Sequence, residues 1–323
     1  MRVVAPSFEI LDELDSQSLA VRIEVCGRIC YKSEDKINEA SAIPFIKRIV
    51  KHGHNSVTEM GALTLKVTID SETLATQFFA VVPKYFQIDR LDKQVMLITG
   101  TVRAFRELYQ NHGSVKMVKA ITNYLADQNP LFFEDLLPKR GAVPQSGVAV
   151  EKVSLAEVDR LSADLVAKHR FLAVKFITNR AVTHEIVRHR PCSFLQESQR
   201  YCRYSEDKFG SEVTFIKPMF FEEGSAEYKL WEEAMVETEK LYLKLLETTS
   251  PQAARTVLPN SSKTELIVYA NFLEWFHIFK LRTTTAAEPS MRELMIPLAQ
   301  ELGRRYPAQF GELSKSLEEV SAQ

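Results

Sequence analysis

Glycine is scarce, 11 residues in 323, and no two are separated by a single position. The chain therefore has no GxGxxG turn, and it has no GxxxxGK(S/T) loop either. Both devices present phosphate to backbone amides, so a phosphate-bearing ligand here must be held by side chains. Cysteine is equally sparse: Cys26, Cys30, Cys192 and Cys202 are the full set. The spacing Cys26-Gly-Arg-Ile-Cys30 does not fit a CxxC redox or zinc pair, and no metal is expected. Long apolar runs are missing, since nothing approaches the roughly 18–20 residues of a membrane span. The opening VVAPSFEIL is broken by Glu9 and is too short for a secretory leader. These features predict a cytoplasmic chain with reduced thiols and no membrane partner. Charge of one sign is missing too: the formal net charge is −1, so any anion site must be local and nucleic acid is not an expected partner.

What remains is ordinary globular composition, 45% apolar and 26% charged, and enough chain to bury a substantial core. No internal repeat or low-complexity segment is visible. The pattern predicts a strand over 3–11 and helices over 19–30 and 37–51, the second stopping near Gly53. Residues 62–69, ALTLKVTI, alternate as a half-buried strand does. Helices are predicted at 73–82, 102–110 and 115–126, and a loop or linker at 138–150. A strand over 170–178 runs into a helix over 179–188, and 213–216 is a further short strand. Helices are predicted over 226–247, 252–258, 264–281 and 290–305. The class expected is α+β, an antiparallel or mixed sheet flanked by helices, in one domain.

Three clusters carry chemistry. In RHRPCSFLQESQRY, Arg188, His189, Arg190 and Arg200 crowd a short segment, with Ser193, Gln196, Ser198 and Tyr201 between them. Guanidinium groups bind phosphate bidentately and stack on planar rings, which suits a polyanionic ligand with aromatic parts. The plain alternative is a solvated basic turn at a helix end. HEIVRH nearly spells a zinc motif, but His184 and His189 lie five apart, about 140° around a helix, so they cannot share one ion. The second cluster, KHGHNSVTE, leaves His54, Asn55, Ser56 and Glu59 between a helix and a strand, where a mere capping turn is the alternative. In the third, Arg255 sits in PQAARTVLP and Arg282 ends NFLEWFHIFKLR, with Asn271, Glu274 and His277 near one helical stripe. That helix is apolar on most sides, which predicts burial and makes Arg282 costly without an anionic partner. Cys192, beside His189 and Arg190, is a weaker candidate for a thiolate nucleophile, with a packing role as its alternative.

Taken in order, HGHNSVTE, THEIVRHRPCSFLQESQRYCRY and AARTVLP followed by the Asn271–Arg282 segment resemble the motifs of flavin-dependent thymidylate synthases, most nearly the phage-like branch. The likeness is dense over 50–65 and 170–285 and sparse elsewhere.

The resemblance implies FAD as cofactor, with NADPH and methylenetetrahydrofolate as co-substrates and dUMP methylated to dTMP. It also implies a homotetramer with shared active sites. Carried over residue by residue, Ser56, Arg188, His189, Arg190, Gln196, Asn271 and His277 would contact FAD. Glu185, Arg188, Gln196, Glu197, Ser198, Gln199, Arg200, Arg255 and Arg282 would surround dUMP. His54 would lie near flavin and folate, and Arg282 would favour the ionised uracil. The chain departs from the pattern at Met60, where the family often has His, and at Glu288 and Ser290. The stretch 71–165 is longer than usual and reads as a lineage-specific elaboration. Two other functions stay open: a related flavin-dependent methylase or hydroxymethylase of another pyrimidine nucleotide, and a non-catalytic nucleic-acid-binding module.

Overall fold

The computed structural model describes residues 1–137 and 145–321. Its strands are β1 (Arg2–Val4), β2 (Ser7–Ile10), β3 (Ala62–Ile69), β4 (Gln87–Arg90), β5 (Val95–Thr101), β6 (Val148–Val153), β7 (Phe171–Asn179), β8 (Ser193–Gln196), β9 (Thr214–Ile216) and β10 (Lys263–Asn271). One antiparallel sheet has the order β2-β7-β10-β8 and a second the order β4-β5-β3-β6. β1 and β9 form a separate parallel pair. Helices flank both sheets, so the α+β class expected from the sequence is the class found.

The strands follow their side-chain pattern. Alternation in β3 sends Leu63, Leu65, Val67 and Ile69 to one buried face. β7 and β10 are buried on both faces, because one side of their sheet joins the core of the other sheet through Ala173, Leu195, Ile267 and Tyr269. Its far side, with Leu172, Val174, Phe176 and Val268, packs on the helices Phe272–Arg282, Pro289–Arg305 and Pro307–Ser321. A smaller core lies under the long helix Ala226–Thr248.

Several expectations need correction. Residues 264–281 are not one helix: KTELIVYAN is β10, and its β-branched and aromatic residues fill both faces of a central strand. The helix starts at Phe272, where the Asn271 carboxamide accepts the Glu274 amide at 2.9 Å. It is also half exposed, with Leu273 and Leu281 about half open to solvent. The expected strand 3–11 splits at Pro6, whose ring removes a ladder donor, into β1 and β2 with different partners. Regular helix in 37–51 begins only at Ala42. In the expected linker 138–150, β6 begins at Val148, while 138–144 lie outside the described residues. β4, β5, β8 and the helix Pro307–Ser321 were not anticipated. Nor was the repetition of one strand order in both sheets, in a chain whose residues show no repeat.

Candidate active site

The segment after the helix Ala42–Lys51 turns sharply because Gly53 sits at φ +68°, a conformation that disfavours side chains. His54 follows, its Nδ1 3.4 Å from the Tyr31 hydroxyl. Across from it runs the end of β8 and the segment after it, tied down by the Ser198 amide donating to the Cys30 carbonyl at 3.1 Å. His54, Ser56, Gln196, Ser198 and Arg200 thereby line one open cleft of about 480 Å³. The sequence places these residues about 140 positions apart; the fold brings them together. Gln196 is held by its Nε2 donating to the Thr183 and Thr264 hydroxyls at 3.0 and 3.2 Å. Arg200 lies over the Tyr201 ring, 5.1 Å from its centroid, and the Tyr31 and Tyr201 rings are 5.3 Å apart. A cation beside one exposed and one half-buried ring suits a planar, anionic ligand.

His189 lies on the far side of the same turn and is buried, while Arg188 and Arg190 are exposed. Arg282 reaches it from the helix end: its Nε donates to His189 Nε2 at 3.1 Å and its Nη1 to Glu185 Oε2 at 2.7 Å. Burial, then Arg282 and then His277, depress the His189 imidazole to about 4, so it is neutral at pH 7 and accepts from Arg282. The Glu185 carboxylate is the anionic partner that Arg282 required. Glu274 has its carboxyl raised by burial, and its Oε1 is buried without a hydrogen bond among the described residues. His189, Glu274 and His277 offer ligand atoms within 4.8 Å of one another. His189 Nε2 is already committed to Arg282, and a divalent ion there would face a guanidinium, so the set reads as a polar wall.

A second cavity, of about 450 Å³, has Arg190, Cys192, Ser193, Asn271 and Glu274 on one side. Its opposite side comes from the segment expected to be an elaboration, with Lys84, Tyr85, Gln87 and Arg103. Arg103 borders both cavities and is fixed by Glu59 and Glu107, each at 2.6 Å. Nothing in the sequence signalled Lys84, Tyr85 or Arg103. The Asn271 carboxamide is engaged at both ends, since its Nδ2 also donates to the Lys168 carbonyl at 2.9 Å. Burial pushes the Cys192 thiol well above the usual range, which fits packing and not nucleophilic attack.

Eight expected site residues line neither cavity: Glu185, Arg188, His189, Glu197, Gln199, Arg255, His277 and Arg282. Glu197 is 2% exposed and accepts from Lys263 and the Tyr204 hydroxyl, both at 2.9 Å. Gln199 is buried. Arg255 lies in the turn that follows the short helix Pro251–Ala254.

Residues 158–308 match the family model described as thymidylate synthase complementing protein. A flavin-dependent thymidylate synthase of Pyrococcus abyssi is 35% identical over 128 residues, 39% of this chain and 52% of that protein. One from Corynebacterium glutamicum is 31% identical over 150 residues, covering 42% and 58%. One from Mycobacterium tuberculosis is 29% identical over 144 residues, with the same coverage. The chain spans about half the length of the curated relatives it matches. The stretch 158–308, similar to the thymidylate synthase complementing protein family, is the part that holds Glu185, the Arg188–Arg190 turn, Gln196 to Arg200, Arg255 and Arg282.

Proposed function

We propose that this chain is a flavin-dependent thymidylate synthase, converting dUMP to dTMP with methylenetetrahydrofolate as carbon donor and NADPH as reductant of FAD. The observation that carries the reading is the cleft joining His54 and Ser56 to Gln196, Ser198 and Arg200, in a chain that also holds Arg282 fixed by Glu185 and His189. The residues fit a flavin nucleotide: two adjoining cavities, exposed Tyr rings, cationic Arg188 and Arg190, and an orphaned buried acceptor at Glu274. When bound, FAD supplies the hydride. Arg188, His189, Arg190, Ser56, Gln196 and His277 would hold it, and Asn271 would act by fixing the start of its helix. His54 would lie near flavin and folate.

For dUMP, Ser198 and Arg200 offer donors to the phosphate, with Glu185, Gln196, Gln199 and Arg255 around the nucleotide. Glu197, tied to Lys263 and Tyr204, would contribute through its backbone. Arg282 is the group aimed at charge developing on the uracil; a guanidinium already oriented by two partners stabilises such charge without reorganising. No protein nucleophile is needed, in keeping with the buried Cys192 thiol. Assembly as a homotetramer is part of the proposal, supported by Leu273, Phe276 and Leu281 exposed along one helix. A cytoplasmic location is proposed as well; no helix among the described residues is long and apolar enough to cross a membrane.

The test is the visible spectrum of the purified protein before and after dUMP. An oxidised-flavin spectrum perturbed by dUMP is expected, as is turnover on dUMP with methylenetetrahydrofolate and NADPH. A protein that takes up no FAD sinks the reading, and turnover on dCMP alone moves it to a related pyrimidine methylase.

A further inference from the structure

The two sheets share more than a strand order. β3 leads through the cap Ser71 into the helix Glu72–Phe79, and β7 leads through the cap Asn179 into the helix Arg180–Ile186. An edge strand follows in each case, β4 or β8, and then a central strand, β5 or β10. Each central strand runs directly into a helix of 11 residues, capped by Thr101 or Asn271. The registers agree: Thr101 pairs with Ala62 at the start of β3, and Asn271 with Phe171 at the start of β7. The first helical amides, Val102 and Phe272, donate to the carbonyls just before those strands, Gly61 at 2.9 Å and Arg170 at 3.0 Å.

The remaining strands are exchanged. β2, from the first half, pairs with β7, whereas β6, which opens the second, pairs with β3. The helices behind them cross over too. Arg22 of Leu19–Arg28 donates to the Tyr269 hydroxyl at 3.2 Å, and His169 of Ala163–His169 lies 2.8 Å from the Thr99 hydroxyl. Tyr269 and Thr99 are equivalent, each two positions before its cap. β1 and the stretch 29–60 lack a counterpart in the second half, and residues 197–262, with β9 and the helix Ala226–Thr248, lack one in the first.

Equivalent positions differ sharply in chemistry. Nine residues beyond the first cap the second half has Arg188-His189-Arg190-Pro191; the first has Ala80-Val81-Val82-Pro83. Glu274, His277 and Arg282 are matched by Ala104, Glu107 and His112. The cavity of about 450 Å³ is lined by equivalent residues from both halves: Gln87 and Ser193, Thr101 and Asn271, Ala104 and Glu274. It therefore lies on the axis that relates them.

We infer that the chain is an internal duplication with exchanged leading strands, in which only the second copy keeps the arginine-rich turn and the Glu274–His277–Arg282 helix face. The first copy has become the opposite wall of that one site, where Lys84 and Tyr85 bind a planar, phosphate-bearing ligand between themselves and Arg190. Both residues are exposed; the Tyr85 ring stacks on Phe86 with centroids 5.7 Å apart and its hydroxyl donates to Glu107 at 3.4 Å, which orients its open face for a ligand ring while the Lys84 ammonium meets phosphate. Naming that ligand as FAD rests on the function proposed above; the duplication and the shared wall do not.

FAD titrated into the full chain and followed by flavin absorbance should saturate at one per chain. Lys84→Met and Tyr85→Ala should each weaken it by roughly tenfold, the scale of one charged contact or one stacked ring, with unchanged melting temperature. Two FAD per chain would overturn the loss of the first site, and unchanged affinity in both variants would overturn the shared wall. If the unaltered chain takes up no FAD, the flavin reading fails and the wall is read with inorganic pyrophosphate. One pyrophosphate per chain, weakened by Lys84→Met, would uphold it; unchanged affinity would overturn it.

Discussion

Replacing Arg282 by Met keeps the unbranched stem of the side chain and removes its charge and its three hydrogen bonds, two to Glu185 and one to His189 Nε2. The consequence is worked through His189. Its folded value is about 4 and its unfolded value about 6.5, so between these pH values the unfolded chain binds one more proton than the folded one. Stability then rises with pH across that window and falls on acidification. Between pH 7 and pH 5 the loss from this one group comes to about 2 kcal/mol. Burial, the largest cause, remains in Arg282→Met but the neighbouring cation is gone, so His189 moves back towards its ordinary value and the loss shrinks. Urea unfolding at pH 7 and pH 5 measures the difference, and an NMR titration of the imidazole protons assigns it. The same variant should keep its flavin absorbance while losing about a hundredfold or more in turnover, since a preoriented charge acts chiefly in the transition state. Superimposable pH profiles for variant and parent would refute the coupling, and unchanged turnover would remove Arg282 from the chemistry.

Cys192→Ser should stay active, and the thiol should react only slowly with a disulfide reagent at pH 7; a dead variant would revive thiolate attack. Asn271→Ala loses both a helix cap and a bond to the Lys168 carbonyl, and should cost about 1–3 kcal/mol by urea unfolding, more than its equivalent Thr101→Ala at about 1 kcal/mol. Burial raises the Glu265 carboxyl, yet Lys263, Lys32 and Lys175 outweigh it and hold the group at about 2. Its contribution is thus present above the ordinary Glu value near 4.3 and lost as pH falls through about 2. Glu265→Gln should accordingly destabilise by about 3 kcal/mol at pH 7 and by little at pH 2.

The legible parts of the sequence were those whose pattern is local. β3, with its strict alternation, and the helices from Val102, Lys116 and Ala226 lie within a residue or two of expectation. The motif residues were legible as types, because clustered guanidinium groups are costly to place without a purpose. The pairing of His54 and Ser56 with Ser198 and Arg200 was not, since no local rule links segments about 140 residues apart. β10 misled because a strand buried on both faces has no alternation, and an apolar run joined to a helix reads as more helix. Lys84, Tyr85 and Arg103 were invisible for a different reason: each is an ordinary exposed or half-exposed polar residue, and only the fold sets it opposite Arg190 or Glu274.

The paired halves separate what the backbone supplies from what the side chains supply. Both offer a capped helix directly continuing a central strand and a turn ending in proline, so both present the same positions to the same axis. One fills them with Arg188, His189, Arg190, Glu274 and Arg282, the other with Ala80, Val81, Val82, Ala104 and His112. Ligand chemistry therefore resides in the substituents of a scaffold held by strand register and caps, and not in the scaffold itself. An apolar turn at Ala80–Val82 is also what a retired site would need. Arginines there would add charge to a cavity where Lys84, Arg103 and Arg190 already stand against Glu59, Glu107 and Glu274, two of which hold Arg103.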